Sequence, residues 1–120
     1  MDYQKNYSEK SKYSRVWSKE GAEDAIRQYK NFMYLLFKYH DEATIKLVPS
    51  IEVDEIWHHH ILDTRAYLND CMNIYGYFMH HFPYFGMRGE EDRKDLYQSF
   101  SETQDIYFAE FGEYMYEVDF

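Results

Sequence analysis

Apolar residues recur at three- and four-residue steps over long parts of this chain, which is the spacing of helices with one buried face. The first stretch runs from about Ser18 to Tyr39, with Ile26, Tyr29, Met33, Leu36, Phe37 and His40 on one side. Ser18 is placed to cap its opening N–H groups, Glu20, Glu23 and Asp24 suit its positive end, and His40 suits its carbonyl end. The last stretch runs from about Gly89 to Phe111, with Leu96, Phe100, Thr103, Tyr107 and Phe111 facing inward. No alternation of the strand type competes over a comparable length. The spacing predicts an all-α fold.

The middle of the chain is punctuated. Pro49 biases Val48 away from helix, and Ser50 is an N-cap candidate with Glu52 and Asp54 just behind it, so a helix is expected from near Ile51. Gly76 supplies the left-handed residue that follows a helix. With Trp57 set toward the core, an unbroken helix would also turn Ile61, Thr64, Leu68, Cys71, Tyr75 and Phe78 inward. Tyr77 to Arg88 is aromatic and holds Pro83 and Gly86, which reads as an ordered loop or turn. The expected architecture is a small single-domain bundle of about four helices, residues 17–120, behind a polar arm of residues 1–16.

Composition narrows the class. The 45% hydrophobic and 21% aromatic content argues against disorder. The charge sum of 13 minus 22, or −9, disfavours nucleic acid and anionic membranes as partners. Cys71 stands alone, so no internal disulfide forms, and its expected role is a small buried hydrophobe. No apolar run approaches the ~20 residues that span a bilayer, and the N-terminus has no apolar signal core. The expected location is cytoplasmic.

Five of the six histidines lie between Val48 and Tyr84. Clustered imidazoles beside carboxylates suggest a metal site, and without thiolates the suitable ions are zinc, iron or copper. Helical geometry tests the cluster. His59 points away from the core and is expected in solvent. His58 and His60 diverge by roughly 160° in a continuous helix, too far apart to grip one ion. Either Asp54 and His58, four residues apart, form the pair, or the helix breaks near Ile61 and restarts with Asp63 as N-cap and Thr64 as its first residue. His80 and His81 are adjacent, so one of them at most faces the cluster. Alternatively, the histidines form a hydrogen-bonded polar layer in an aromatic core.

Asp54-x-x-Trp57-His58-x-His60, with Tyr67, Asp70, Gly76 and His81, resembles the conserved core of the glycine-rich domain-containing protein-like family. Phe100-Ser-Glu-Thr103, Tyr107, Phe111-Gly112 and Tyr114 extend the likeness, with Tyr107 where the family usually has tryptophan. The likeness covers roughly Val48 to Tyr116, and the glycine-rich region of larger members is missing. It implies that His58, His60 and His81 are family positions while His59 and His80 are not. The Ser-Pro that the family often has at Asp63-Thr64 supports the helix break. The family domain carries no settled activity.

Two functions follow as expectations. In one, His58, His60 and His81 hold a divalent transition metal with Asp54 as ligand or support, and Tyr67 or Tyr84 handles a proton for a small-molecule substrate. In the other, the histidines are structural and the chain is a non-catalytic module that holds a peptide or protein, using an aromatic groove from Tyr77 to Phe85.

Overall fold

The computed structural model describes residues 17–42, 44–81 and 89–115. They form four helices: α1 (Lys19–Lys38), α2 (Ile51–Leu62), α3 (Thr64–Ile74) and α4 (Glu90–Phe111). No strand occurs among the described residues, so the all-α expectation holds. The polar arm of residues 1–16 and the groove residues 82–85 lie outside the described residues, as does Tyr84.

The punctuation works as its chemistry requires. Ser18 Oγ accepts from Gly21 N at 2.9 Å and Ser50 Oγ accepts from Val53 N at 3.2 Å, which starts α1 and α2. The central helix is broken where expected. Asp63 closes α2 with φ −89° and ψ 80°, and its side chain accepts from Ala66 N at 3.2 Å to open α3. Gly76, at φ 82°, turns the chain after α3 while its N–H reaches back to Cys71 O and Met72 O.

The break rotates the inward face. Tyr67 is 1% exposed and, with Cys71 and Tyr75, fills the core, whereas Leu68 and Phe78, expected inside, are 47% and 42% exposed. Thr64 is exposed as well. Cys71 and Tyr75 turn inward as the projection through Trp57 requires, but Thr64, Leu68 and Phe78 do not, because Asp63 leaves helical geometry and shifts the inward face of α3 toward Tyr67. On α1, Tyr29 and Met33 are buried as expected, but the face centres on Ala25, Phe32 and Leu35, leaving Ile26 and Phe37 outside. His40 lies beyond the end of α1 and stacks on Tyr77 with ring centroids 4.5 Å apart.

Helices α1 and α2 make the main contact, α3 packs on α2, and α4 lies against α1. The expected stripe of α4 holds: Thr103 and Tyr107 are fully buried, flanked by half-buried Leu96, Phe100 and Phe111. Thr103 Oγ1 accepts from Val48 N at 3.0 Å and donates to Ser99 O at 2.7 Å, which ties the extended segment before α2 to α4. This connector and α1 set the position of α2, the helix that carries Asp54, His58 and His60.

Candidate functional site

Trp57 and Tyr67 form the centre of the candidate region. The Trp57 indole N–H donates to the Tyr67 hydroxyl at 2.9 Å, and that hydroxyl donates to the Met79 carbonyl at 2.5 Å. A buried indole and a buried phenol thus satisfy each other and also fix the segment after Gly76, as amphipathic aromatics in a core must. The sequence offered Tyr67 as a proton-handling residue. In the fold its hydroxyl is committed to these two bonds.

One histidine–carboxylate pair lies on each side of this centre. His81 Nε2 is 2.5 Å from Asp54 Oδ1, and the His81 ring meets the edge of Trp57 at 4.3 Å. Both side chains are largely covered, with 17% and 10% remaining exposed. His60, from the last turn of α2, has both ring nitrogens engaged. Nδ1 is 2.6 Å from the Tyr29 hydroxyl of α1 and Nε2 is 2.8 Å from Asp70 Oδ2 of α3. The Asp70 carboxylate is an acceptor, so Nε2–H donates to it, which leaves Nδ1 to accept from the Tyr29 hydroxyl. His60 therefore joins α1, α2 and α3 through one imidazole.

The expected ligands are thus divided. Asp54 and His81 come together, but His60 belongs to a separate constellation with Tyr29 and Asp70. His58 is half-buried on α2 with its ring 6.3 Å from that of His59. His59 is 52% exposed and points outward as its phase requires, its Nε2 3.9 Å from Glu55 Oε2. His80 is exposed against Phe78. Cys71 is buried and free, the small hydrophobe it was expected to be. Among the described residues no group of three or more histidine, cysteine, aspartate or glutamate side chains is arranged to hold an ion.

Three participants escaped the sequence reading. Tyr29 is on another helix, so no local spacing links it to His60. Asp70 was legible only as a family position, because the break at Asp63 hides its phase relative to His60. Glu55 is 0% exposed and accepts from the Trp17 indole at 2.9 Å, a contact between positions 38 residues apart that local spacing does not reveal.

Burial pushes the phenols of Tyr29, Tyr67 and Tyr75 well above their ordinary value of 10.0. Folding thus favours the protonated phenol. Their contribution to stability is complete below the unfolded value near pH 10 and is lost as pH rises above it. These phenols are expected to cost the fold no stability up to about pH 10 and to drive cooperative unfolding well above it. Absorbance titration of the tyrosines should show these phenols ionising only with loss of the helical circular dichroism signal. Complete titration of every tyrosine in the folded state would contradict this.

A family model described as UCP032817-like matches residues 3–103. Glycine-rich domain-containing protein 1 of Arabidopsis thaliana is 33% identical over 101 residues, which is 82% of this chain and 12% of that protein. Glycine-rich domain-containing protein 2 of the same plant is 39% identical over 61 residues, 49% of this chain and 8% of that protein. The chain thus spans about a tenth of the length of these relatives. No solved structure shows a significant match. The resemblance read from the tryptophan-histidine motif holds.

Proposed function

The chain belongs to the UCP032817-like family, related to the glycine-rich domain-containing proteins, and on that premise we propose that it is a non-catalytic protein-binding module whose histidines fasten its helices. The observation that carries this reading is the engagement of the imidazoles. Both nitrogens of His60 are bonded within the protein, and His81 is clamped between Asp54 and Trp57. Buried polar networks satisfied in this way rigidify a fold.

The surface supports a binding role. Tyr34, Phe37, Phe108 and Tyr114 are each 45–49% exposed. Three of them lie in one string with Phe111: Tyr34 meets Phe111 at 6.2 Å, Phe108 is one turn from Phe111, and Phe108 meets Tyr114 at 4.6 Å. Glu110 and Glu113 edge the string and already pair with Lys38 and Arg27. With a chain charge of −9, the matching partner is a protein segment bearing an apolar anchor flanked by lysine or arginine.

Binding to immobilised basic amphipathic peptides tests this reading. Tyr34→Ala combined with Phe108→Ala is expected to weaken the selected peptide by about tenfold or more, since aromatic anchors contribute over 1 kcal/mol each. The melting temperature should change little, because both rings are half exposed. Unchanged affinity would reject this face. Stoichiometric zinc, iron or copper in untagged protein, lost together with a turnover activity in His58→Ala with His60→Ala, would favour a metal-dependent enzyme instead.

A further inference from the structure

The Tyr29–His60–Asp70 chain has a property that fastening alone does not require. Removing one electron from a phenol yields a radical cation, a strong acid, so oxidation is easy only where a base already sits on the O–H. Among the described buried tyrosines, Tyr67 donates to the Met79 carbonyl and Tyr75 donates to the Met33 carbonyl at 3.0 Å. Tyr107 accepts from Asn31 Nδ2 at 2.9 Å. A carbonyl oxygen is a poor proton acceptor. Tyr29 alone of these four faces an imidazole nitrogen, at 2.6 Å.

We propose that Tyr29 is a redox-active tyrosine, oxidised by a diffusible outer-sphere one-electron oxidant while its phenolic proton passes to His60 Nδ1. The electron leaves the ring for the oxidant, the O–H bond breaks, and an N–H bond forms on His60. The products are a neutral tyrosyl radical and an imidazolium, with no heavy-atom bond made or broken. The Asp70 carboxylate on Nε2 stabilises that imidazolium through a charge-assisted bond at 2.8 Å. Reduction by a one-electron donor reverses the step and returns the proton to the phenolate oxygen.

The surroundings suit this chemistry. Tyr29 is 6% exposed, which shields the radical from radical–radical coupling, while Asp70 is 49% exposed and adjusts with solvent. Burial keeps the resting group a phenol, so the proton is present to be transferred. The His60 ring also meets Tyr67 at 4.9 Å, and Tyr67 is bonded to Trp57, which places two further oxidisable rings beside the site. This assignment rests on the tyrosine–imidazole geometry and is independent of any partner binding.

Flash photolysis of tris(bipyridyl)ruthenium(II) with persulfate, applied to the untagged full chain at neutral pH, generates the oxidant. Transient absorption and freeze-quenched electron paramagnetic resonance report the neutral tyrosyl radical. The long-lived radical is expected in the wild type and in Tyr67→Phe, and lost in Tyr29→Phe, which keeps the ring volume. His60→Gln should slow radical formation by about a hundredfold, the lower end of what a positioned base contributes. Asp70→Asn, which keeps the side-chain size and a polar atom beside His60 Nε2, should slow it in the same direction. Undiminished radical yield in Tyr29→Phe, or unchanged formation rates in both His60→Gln and Asp70→Asn, would overturn the assignment.

Discussion

Replacing Trp57 with alanine is expected to lower the unfolding free energy by about 3–5 kcal/mol, the range for deleting a buried aromatic ring. Trp57 is 5% exposed. Its ring lies 5.8 Å from Phe32 of α1 and 4.3 Å from His81, and its N–H donates to Tyr67. Truncation therefore opens a cavity in the α1–α2 contact and removes the surface on which His81 rests. Domains of this kind are stable by only about 5–15 kcal/mol, so a large share of the total is lost. Urea unfolding followed by circular dichroism reads the change. Trp57→Phe keeps most of the ring and removes the N–H, and is expected to cost about 1–3 kcal/mol. Equal losses for the two substitutions would show that the hydrogen bond, and not packing, holds this centre.

The Asp54–His81 pair gives the second large effect. Asp54→Ala and His81→Ala should each cost about 1.5–3 kcal/mol, the range for hydrogen bonds involving a charged group. Because the two side chains are in contact and largely covered, their losses should not add, and the double-mutant cycle should return a coupling on the order of 1 kcal/mol or more. Exposed ion pairs give far less, since water screens them and the side chains are free. The structural consequence is local. The segment of residues 77–81 is held by His81, by the Met79 carbonyl on Tyr67 and by Tyr77 against His40. Losing the first contact should speed amide exchange in that segment before it affects α1. A coupling near zero, with exchange unchanged, would remove the pair from the account.

Much of the fold was legible because it is written locally. Ser18, Ser50 and Asp63 announce helix starts by cap chemistry that acts within three residues, and Gly76 announces a stop in the same way. The stripe through Thr103 and Tyr107 needed only the helical period. What was not legible depended on phase and on other helices. The break at Asp63 was anticipated, yet the change of direction it imposes cannot be computed from spacing, so Leu68 and Phe78, inward in the unbroken projection, are exposed. On α1 a stripe that includes Phe37 and one centred on Phe32 and Leu35 are both apolar, and packing against α2 decides between them.

The candidate site divides along the same line. Residue types and the family pattern picked out Asp54, His60 and His81, and all three enter buried or half-buried polar contacts. Their partners were another matter. Spacing paired Asp54 with His58 by the i, i+4 rule and gave no sign that Asp54 also bonds to His81, which the turn at Gly76 brings back over Trp57. Tyr29 meets His60 only through the α1–α2 contact, a relation between positions 31 residues apart that no motif encodes. Clustering of histidines in sequence suggested a shared ion. The fold pairs His60 with Asp70 and His81 with Asp54.

In the proposed binding module His60 and His81 are bonded within the protein, and no ion joins them. Nitrogen-15 nuclear magnetic resonance of the imidazoles in untagged protein, with zinc titrated to one equivalent, tests it directly. The expected result is a single tautomer of His60 protonated at Nε2, a hydrogen-bonded His81, and no change in either on adding zinc. Joint shifts of His58, His60 and His81 that saturate at one equivalent of zinc would contradict it.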